Sequence, residues 1–186
     1  STQDNIVTAG MFGYTNLESI MLPDNILEIG ESAFETLLSL RNFTIPANVT
    51  KLGVKAFNTC QNLEAITIPE SVTKIDSYAF YYCRKLRSIT IPEKVTYIGK
   101  NAFYNCTAMT SVTIPQSVTN IDESAFYDCP ALADVYYGGN IVDWCLIDFK
   151  YGSSNPMSNA GNLYLKGNLL PEDLVLPTEM TKISSY

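Results

Sequence analysis

The chain has 186 residues, of which 46% are hydrophobic and 17% are charged, and its formal net charge is −7. That length supports one substantial core and does not require a second domain. An acidic chain with few charges lacks the clustered lysine and arginine that nucleic acids and anionic lipids attract, so we expect it to bind neither. No apolar run approaches the roughly 18 residues of a membrane span. Histidine is absent, which removes the commonest general base and metal ligand.

Five prolines recur at an interval of 23 residues, at positions 23, 46, 69, 92 and 115. The segments that end on them share one pattern: LESIMLP, LRNFTIP, LEAITIP, LRSITIP and MTSVTIP. A fixed period of this length is the signature of a solenoid, in which each repeat buries its apolar face against its neighbours. The repeat therefore predicts a β-rich solenoid rather than a domain built around one catalytic pocket.

One repeat, from Leu63 to Lys85, shows the elements in order. Its apolar positions, which stay apolar in the neighbouring repeats, are Leu63, Ile66, Ile68, Val72, Ile75, Ala79, Phe80 and Cys83. The segment 65–68 alternates polar and apolar residues and is β-branched, which predicts a short strand with one buried face. Pro69 should end the strand ladder. The segment 72–75 can form a second short strand, and 77–83 suits a turn or one helical turn. The first residues fit loosely, with Ile6 at the position of Leu52 and Met11 at that of Phe57.

The pattern LxxIxIPxxVxxIxxxAFxxCxx, over about residues 5–137, resembles the 23-residue leucine-rich repeat of the BspA-like family of bacterial surface proteins. The resemblance implies a leucine-rich-repeat solenoid, with parallel strands on the concave face and short second strands and helical turns on the convex side. It also implies a cell-surface or secreted, extracellular location. The general leucine-rich repeat keeps Asn or Cys three residues after its last strand leucine. The residues there are Asn25, Asn48, Ser71, Lys94 and Ser117, so no continuous asparagine ladder can form.

Four cysteines share one repeat position: Cys60, Cys83, Cys106 and Cys129. They could be buried thiols that act as small hydrophobes, stacked disulfides, or metal ligands. Parallel side chains in register rarely meet the torsion that a disulfide needs. A tetrahedral metal site needs sulfurs around one point rather than in a row. The pattern therefore favours free thiols, and we expect no metal and no cofactor.

The pattern breaks at Gly138, where the next proline is due. Asn140 and Asp143 suit a capping box, which predicts a short helix over 141–147. Leucines on both sides of Lys166-Gly167-Asn168 indicate a hairpin, and the repeat resumes with LVLPTEMTKISSY from Leu174. We predict one solenoid over residues 1–186. It comprises regular repeats over 1–137, a cap-like insertion over 138–162, and a hairpin with a resumed, truncated repeat over 163–186.

Strand residues that point away from the core form two rows of small polar side chains on the concave face. Solenoids present such surfaces to partners, although Thr and Ser also simply suit a solvated strand. A neighbouring row of alternating charge, residues 18, 41, 64 and 87, is expected to fix the stacking register. The candidate ligand contacts are Thr44, Thr67, Ser88, Thr90, Ser111, Thr113, Asp134 and Tyr136.

Aromatic residues gather in two other places. The outer stripe, predicted to be packing or a contact site, is Tyr81, Tyr104 and Tyr127. Those near the break could form the core of a cap or a platform for sugar or peptide: Tyr136, Tyr137, Trp144, Phe149, Tyr151 and Tyr164.

Three functions remain open from the sequence. The first is a non-enzymatic protein-interaction or adhesion module of a bacterial surface or secreted protein. It would bind a protein or glycan of the host, the matrix or other bacteria through the Ser/Thr face, the aromatic insertion, or both. The second is a structural spacer that carries another functional domain. The third and most remote is a carbohydrate-active enzyme using carboxylates at 143, 148, 172 and 173. No GxSxG, HExxH, GxGxxG or P-loop motif is present, so we expect no enzymatic activity.

Overall fold

Stacked coils build the structure, a computed structural model that describes residues 5–12 and 15–171. Each regular coil from residue 40 onward contributes two short parallel strands, one just before the proline position and one after it, and within these described residues the coil around Pro23 contributes only the second. The predicted solenoid with parallel strands is therefore confirmed. The resumed repeat from Leu174 lies outside the described residues.

The first strands of the coils lie just before the proline position. They are β3 (Asn42–Thr44), β5 (Ala65–Thr67), β7 (Ser88–Thr90), β9 (Ser111–Ile114), β11 (Asp134–Tyr137) and β13 (Asn162–Leu165), with β14 (Asn168–Leu169) folding back on β13. They form a two-stranded sheet, β3-β5, and a five-stranded sheet, β7-β9-β11-β13-β14, which is antiparallel only between β13 and β14. We call the solvent-facing side of these first strands the strand face.

The second strands form one parallel sheet of seven strands in chain order. They are β1 (Ile6–Val7), β2 (Glu28–Ile29), β4 (Lys51–Leu52), β6 (Lys74–Ile75), β8 (Tyr97–Ile98), β10 (Asn120–Ile121) and β12 (Asp148–Phe149). In each of them the second residue is buried, which places one apolar side chain per coil in the core.

A line of phenylalanine rings runs through the core. Phe34, Phe57, Phe80, Phe103 and Phe126 are fully buried, and successive ring centroids lie 5.1, 5.4, 5.3 and 5.2 Å apart with nearly parallel planes. Burial of each ring contributes about 1.5–3 kcal/mol before the entropic cost.

The first coil corrects the sequence alignment by one residue. Phe12, and not Met11, stacks on Phe34, with 5.5 Å between ring centroids, and Met11 is 57% exposed. Likewise Val7, and not Ile6, pairs with Ile29. The reason is a coil that is one residue short, because 29 − 7 = 22 whereas the next interval is 52 − 29 = 23.

The outer segment of each coil is a run of turns that forms a third ladder along the stack. Its alternate N–H groups donate to the next coil, as from Tyr78 to the Lys100 carbonyl (2.9 Å) and from Phe80 to that of Ala102 (2.8 Å). The intervening N–H groups bond within the turn. This alternation requires two left-handed residues per coil, and the non-glycine residues with positive φ in these coils are Ser32, Thr36, Lys55, Thr59, Tyr78, Tyr82, Asn101, Asn105, Ser124 and Asp128.

Lys55, with φ of 59°, offers a test of this outer ladder. A β-branched residue is disfavoured in the left-handed region, whereas Asn tolerates it. Lys55→Val should lower the free energy of unfolding by about 1–3 kcal/mol in chemical denaturation, and Lys55→Asn should not lower it. Lys94→Val, at an exposed position without positive φ, is the control. Equal losses at 55 and 94 would contradict the conformational explanation.

The second residue after the proline carries a mixed polar ladder in place of a continuous row of asparagines. Asn48 Nδ2 donates to the Asp24 carbonyl at 2.9 Å, Ser71 Oγ to that of Ala47 at 2.8 Å, and Ser117 Oγ to that of Val95 at 2.7 Å. Short hydroxyl side chains therefore satisfy the loop carbonyls of the preceding coil where the general repeat uses an amide.

The four aligned cysteines are free, buried thiols. Each Sγ donates to the carbonyl of a core phenylalanine 26 residues earlier, over 3.0–3.3 Å. Burial raises the pKa of Cys60 and Cys129 to about 12, and it raises the pKa of Cys83 and Cys106 well above the ordinary 9.0. These thiols are therefore packing groups and not nucleophiles.

The raised thiol pKa values make stability fall in alkaline solution. Below pH 9 the thiols are protonated in both states; above it they ionise in the unfolded chain but stay neutral when folded, so stability is lost between pH 9 and about 12. At pH 10 each buried thiol should cost about 1.4 kcal/mol in the free energy of unfolding. The loss from pH 8 to pH 10, measured by urea titration, should shrink in Cys129→Ala. This loss should change less in Cys145→Ala, because the Cys145 thiol is only half-buried. If Cys129→Ala loses as much stability between pH 8 and pH 10 as wild type, the assignment is contradicted.

Candidate functional site

The stacking of strands continues past Gly138, where the proline pattern ends. Asp148 pairs with Asn120 in the second-strand sheet, and Asn162 pairs with Asp134 in the first-strand sheet. Both offsets are 28 residues (148 − 120 and 162 − 134), five more than the regular 23. The insertion thus occupies the place of one coil, lengthened by five residues.

The longer coil replaces the proline turn with helix α1 (Ile141–Cys145). The predicted capping box is present: Asn140 Oδ1 accepts from the Val142 and Asp143 N–H groups at 2.8 and 3.1 Å, and Asp143 Oδ2 accepts from the Asn140 N–H at 3.0 Å. Gln116 Nε2 of the preceding coil donates to the same carboxylate oxygen at 3.1 Å. The helix ends at Cys145, two residues before the expected end, and is fastened to the stack by Asp143.

The aromatic residues near the break divide into two groups. Tyr137, Trp144 and Phe149 are buried, and the Trp144 ring lies 5.2 and 5.5 Å from the other two. They form the core of the lengthened coil. Tyr136 and Tyr164 instead stack on the strand face with ring centroids 4.6 Å apart. The core interpretation is confirmed for the first group, and the platform interpretation stays a prediction for Tyr136 and Tyr164.

The outer tyrosines stack on one another. The centroids of Tyr81 and Tyr104 are 5.1 Å apart, and those of Tyr104 and Tyr127 are 5.7 Å apart, with interplanar angles of 23° and 27°. Neighbouring rings cover each other's faces, which favours the packing interpretation of this stripe.

Six of the eight candidate contacts lie together in the five-stranded sheet. In one row Ser111 pairs with Ser88 on one side and Asp134 on the other, and in the neighbouring row Thr113 pairs with Thr90 and Tyr136. The remaining two, Thr44 and Thr67, pair with each other in the separate β3-β5 sheet. Exposure is highest at positions 44, 67, 88, 90 and 136, and residues 111, 113 and 134 are half-buried.

Sequence reasoning missed two residues that extend these rows. Asn162 continues the row of Asp134 and donates from Nδ2 to its Oδ1 at 2.8 Å. Tyr164 continues the row of Tyr136. The 28-residue offset hid them, since NLYL was interpreted as one arm of a hairpin. The signal available in the sequence was that NLYL shows the same alternation of polar and apolar residues at its start as DVYY of β11.

Hydroxyl groups on the strand face differ from several of those that lie elsewhere on the coils. Outside the face, the hydroxyls of Ser117, Thr110 and Thr119 donate to backbone carbonyls of the preceding coil. Within the described residues, the serine and threonine side chains of the strand-face rows have no such internal partner. The face therefore presents hydroxyl donors and acceptors that have no partner among the described residues, together with two tyrosine rings.

The carboxylates considered for hydrolysis have other roles. Asp143 completes the capping box, and Asp148 accepts a hydrogen bond from Asn120 Nδ2 at 3.2 Å. Residues 172 and 173 lie outside the described residues. Among the residues that the structure describes, no group of three or more potential metal ligands occurs.

A profile of the BspA-type leucine-rich repeat region matches residues 5–133 in six copies. The chain therefore belongs to the BspA-type leucine-rich repeat family, as the 23-residue pattern indicated. The comparison with curated proteins found no match. In the part of the chain with described coordinates, every helix is too short or too polar to span a membrane.

Solved structures from bacteria share the fold. A leucine-rich cell surface protein from Faecalibacterium prausnitzii is 35% identical, with a TM-score of 0.66 over 68% of this chain and 33% of that one. A leucine-rich repeat protein from Eubacterium ventriosum (22%, TM-score 0.63) aligns over 96% of this chain and 43% of its own. The pneumococcal vaccine antigen PcpA (20%, TM-score 0.60) aligns over 86% and 42%. The last two likenesses concern the fold alone. The chain spans 33–43% of the length of these three proteins.

Proposed function

We propose that the chain is a non-enzymatic binding module of a bacterial cell-surface or secreted protein. Its family and the cell-surface relative from Faecalibacterium support the location. The proposed partner is a protein or glycan of the host, the matrix or other bacteria. The proposed contact surface is the strand face, with its centre on β7, β9, β11 and β13.

One observation carries the choice of the strand face over the other sides of the solenoid. Several side-chain hydroxyls elsewhere on the coils, such as those of Thr110, Ser117 and Thr119, donate to the preceding coil, whereas no serine or threonine of the strand-face rows does so within the described residues. The strands beneath them are joined in register, so the free groups are held in fixed rows. Preorganised polar groups lose little entropy when a ligand binds.

Within this surface, the strongest contact is proposed to lie at its C-terminal end, on β11 and β13. There the Tyr136–Tyr164 pair lies beside the hydrogen-bonded Asp134–Asn162 pair. Tyrosine combines an apolar body with a polar tip and is enriched at interfaces. Replacing Tyr164 with alanine should weaken binding more than a change at the other end of the face.

A matched pair of double variants tests the proposal. Thr67→Lys with Thr90→Lys changes the strand face of two coils, and Thr73→Lys with Thr96→Lys adds the same charge to exposed positions outside the face of the same two coils. Wild type and both variants are applied to an array of matrix proteins, mucins and bacterial and host glycans. For any ligand that wild type retains, we expect the affinity to fall at least tenfold in the face variant and to stay unchanged in the control. Retention of nothing by wild type, or equal loss in both variants, would refute the proposal.

A structural spacer is the second candidate, favoured by the second-strand sheet and the outer ladder, which join successive regular coils without interruption. It predicts that a longer parent protein binds its ligand equally well with the wild-type and the Thr67→Lys, Thr90→Lys chain.

A further inference from the structure

The strand face is divided between the third and fourth regular coils. Among the described residues, no strand pairing joins β5 to β7, although β3 pairs with β5 and β7 pairs with β9. The N–H of Ile45 donates to the Thr67 carbonyl (3.3 Å) and that of Ile91 to the Thr113 carbonyl (2.9 Å). The corresponding bond from Ile68 to Thr90 is not formed.

Core burial weakens at the same junction. Ile66 is only partly buried, whereas the residues at its position in the neighbouring described strands, Phe43, Ile89, Val112 and Val135, are 0–3% exposed. Ile68 is 7% exposed, against 2% for both Ile45 and Ile91. The two strands therefore diverge toward their C-terminal ends.

Elsewhere the same two coils remain joined. Lys74 and Ile75 pair with Tyr97 and Ile98 in the second-strand sheet, and the outer ladder continues from Tyr78 to Lys100. At the start of the strands, the Arg87 N–H donates to the Glu64 carbonyl at 3.3 Å. The gap is thus a wedge that opens on the strand face.

One carboxylate spans the wedge. Glu64 accepts from Arg41 at 3.4 Å on one side and lies 3.5 Å from Arg87 on the other. The Arg87 side chain is 75% exposed, and ion pairs this exposed contribute little and weaken with salt. The contact limits the opening without locking it.

We propose that the junction between β5 and β7 is a bending joint of the solenoid. The second-strand sheet and the outer ladder act as the hinge, and the strand face opens and closes between Thr67 and Thr90. Regions with few backbone bonds and weaker burial open at low cost in free energy. Bending there changes the curvature of the strand face and the depth of the cleft between the two threonines. The joint is independent of the proposed binding function.

Hydrogen–deuterium exchange on the whole chain tests the joint without a ligand. The peptide covering 64–69 should exchange at least tenfold faster than those covering 87–92 and 110–115, which occupy the same place in the next two coils. High salt should raise the exchange of 64–69 further, because it weakens the Glu64 contacts. Equal protection of the three peptides would overturn the proposal.

A cross-link distinguishes bending from a static gap. In a Cys145→Ser background, Thr67→Cys with Thr90→Cys is treated with a short bismaleimide, and Thr90→Cys with Thr113→Cys serves as the control across a paired junction. If exchange requires opening, the first cross-link should slow exchange at 64–69 at least fivefold and the control cross-link should leave it unchanged. A cross-link that forms but leaves the rate at 64–69 unaltered shows a static gap and overturns the proposal, as does failure of only the first pair to be cross-linked.

Discussion

Replacing Phe80 with alanine is expected to lower the free energy of unfolding by about 3–5 kcal/mol, the usual cost of removing a buried aromatic ring. The ring is fully buried and stacks between Phe57 and Phe103 at centroid distances of 5.4 and 5.3 Å. Its loss leaves a cavity that the neighbouring coils cannot fully close, because the second-strand sheet and the outer ladder hold the three coils together on both sides of the ring. In a solenoid each coil contacts only its neighbours, so the defect divides the stack near its middle.

The single tryptophan, Trp144, reports the unfolding of the C-terminal side by fluorescence, and circular dichroism reports the whole chain. Tyr127→Ala, at a 49% exposed ring of the outer stripe, is the matched control and should cost less than about 1 kcal/mol. Phe12→Ala should cost less than Phe80→Ala, since Phe12 is partly buried at one end of the line. If Phe80→Ala lowers the free energy of unfolding no more than Tyr127→Ala does, the line of phenylalanine rings does not hold the coils together.

The regular coils could be predicted from the sequence because each structural role recurs at one position. Ala65–Thr67 was expected to be a strand from its alternation, Phe80 to be core, and Cys83 to be a buried thiol, and the structure shows all three. The outer ladder could not be predicted. Its left-handed residues include Lys55 and Tyr78, and no glycine marks them. Tertiary hydrogen bonds to the next coil, and not local preference, impose that conformation.

Departures from the 23-residue interval account for the other differences. A coil one residue shorter than 23 moved Phe12 into the ring line, and a coil five residues longer than 23 moved Asn162 and Tyr164 into the strand-face rows. Pattern matching assumes a constant interval, whereas a turn can change length while the strands on either side stay paired. The candidate site was therefore found only up to Asp134 and Tyr136, where the constant interval ends.

Trp144→Ala should release the lengthened coil while leaving the regular coils folded. Trp144 is 6% exposed and holds together Tyr137 of β11 and Phe149 of β12, which belong to different sheets. Removing a buried tryptophan costs about 3–5 kcal/mol. Because this coil lies toward the C-terminal end of the described stack, the cost is expected to appear as local unfolding.

Hydrogen–deuterium exchange should then show lost protection in peptides covering 138–165 and unchanged protection in those covering 86–130. Leu146→Ala, at the 54% exposed C-cap of the same helix, is the control and should leave both regions protected. Since Tyr137 adjoins Tyr136 in β11, the same variant should separate the Tyr136–Tyr164 pair and weaken binding at the strand face, although both rings remain in the chain. Intact protection of 138–165 in Trp144→Ala would mean that the hydrogen bonds of β11 and β12, and not the aromatic core, hold this coil. The proposed contact surface would then owe its shape to the sheets alone.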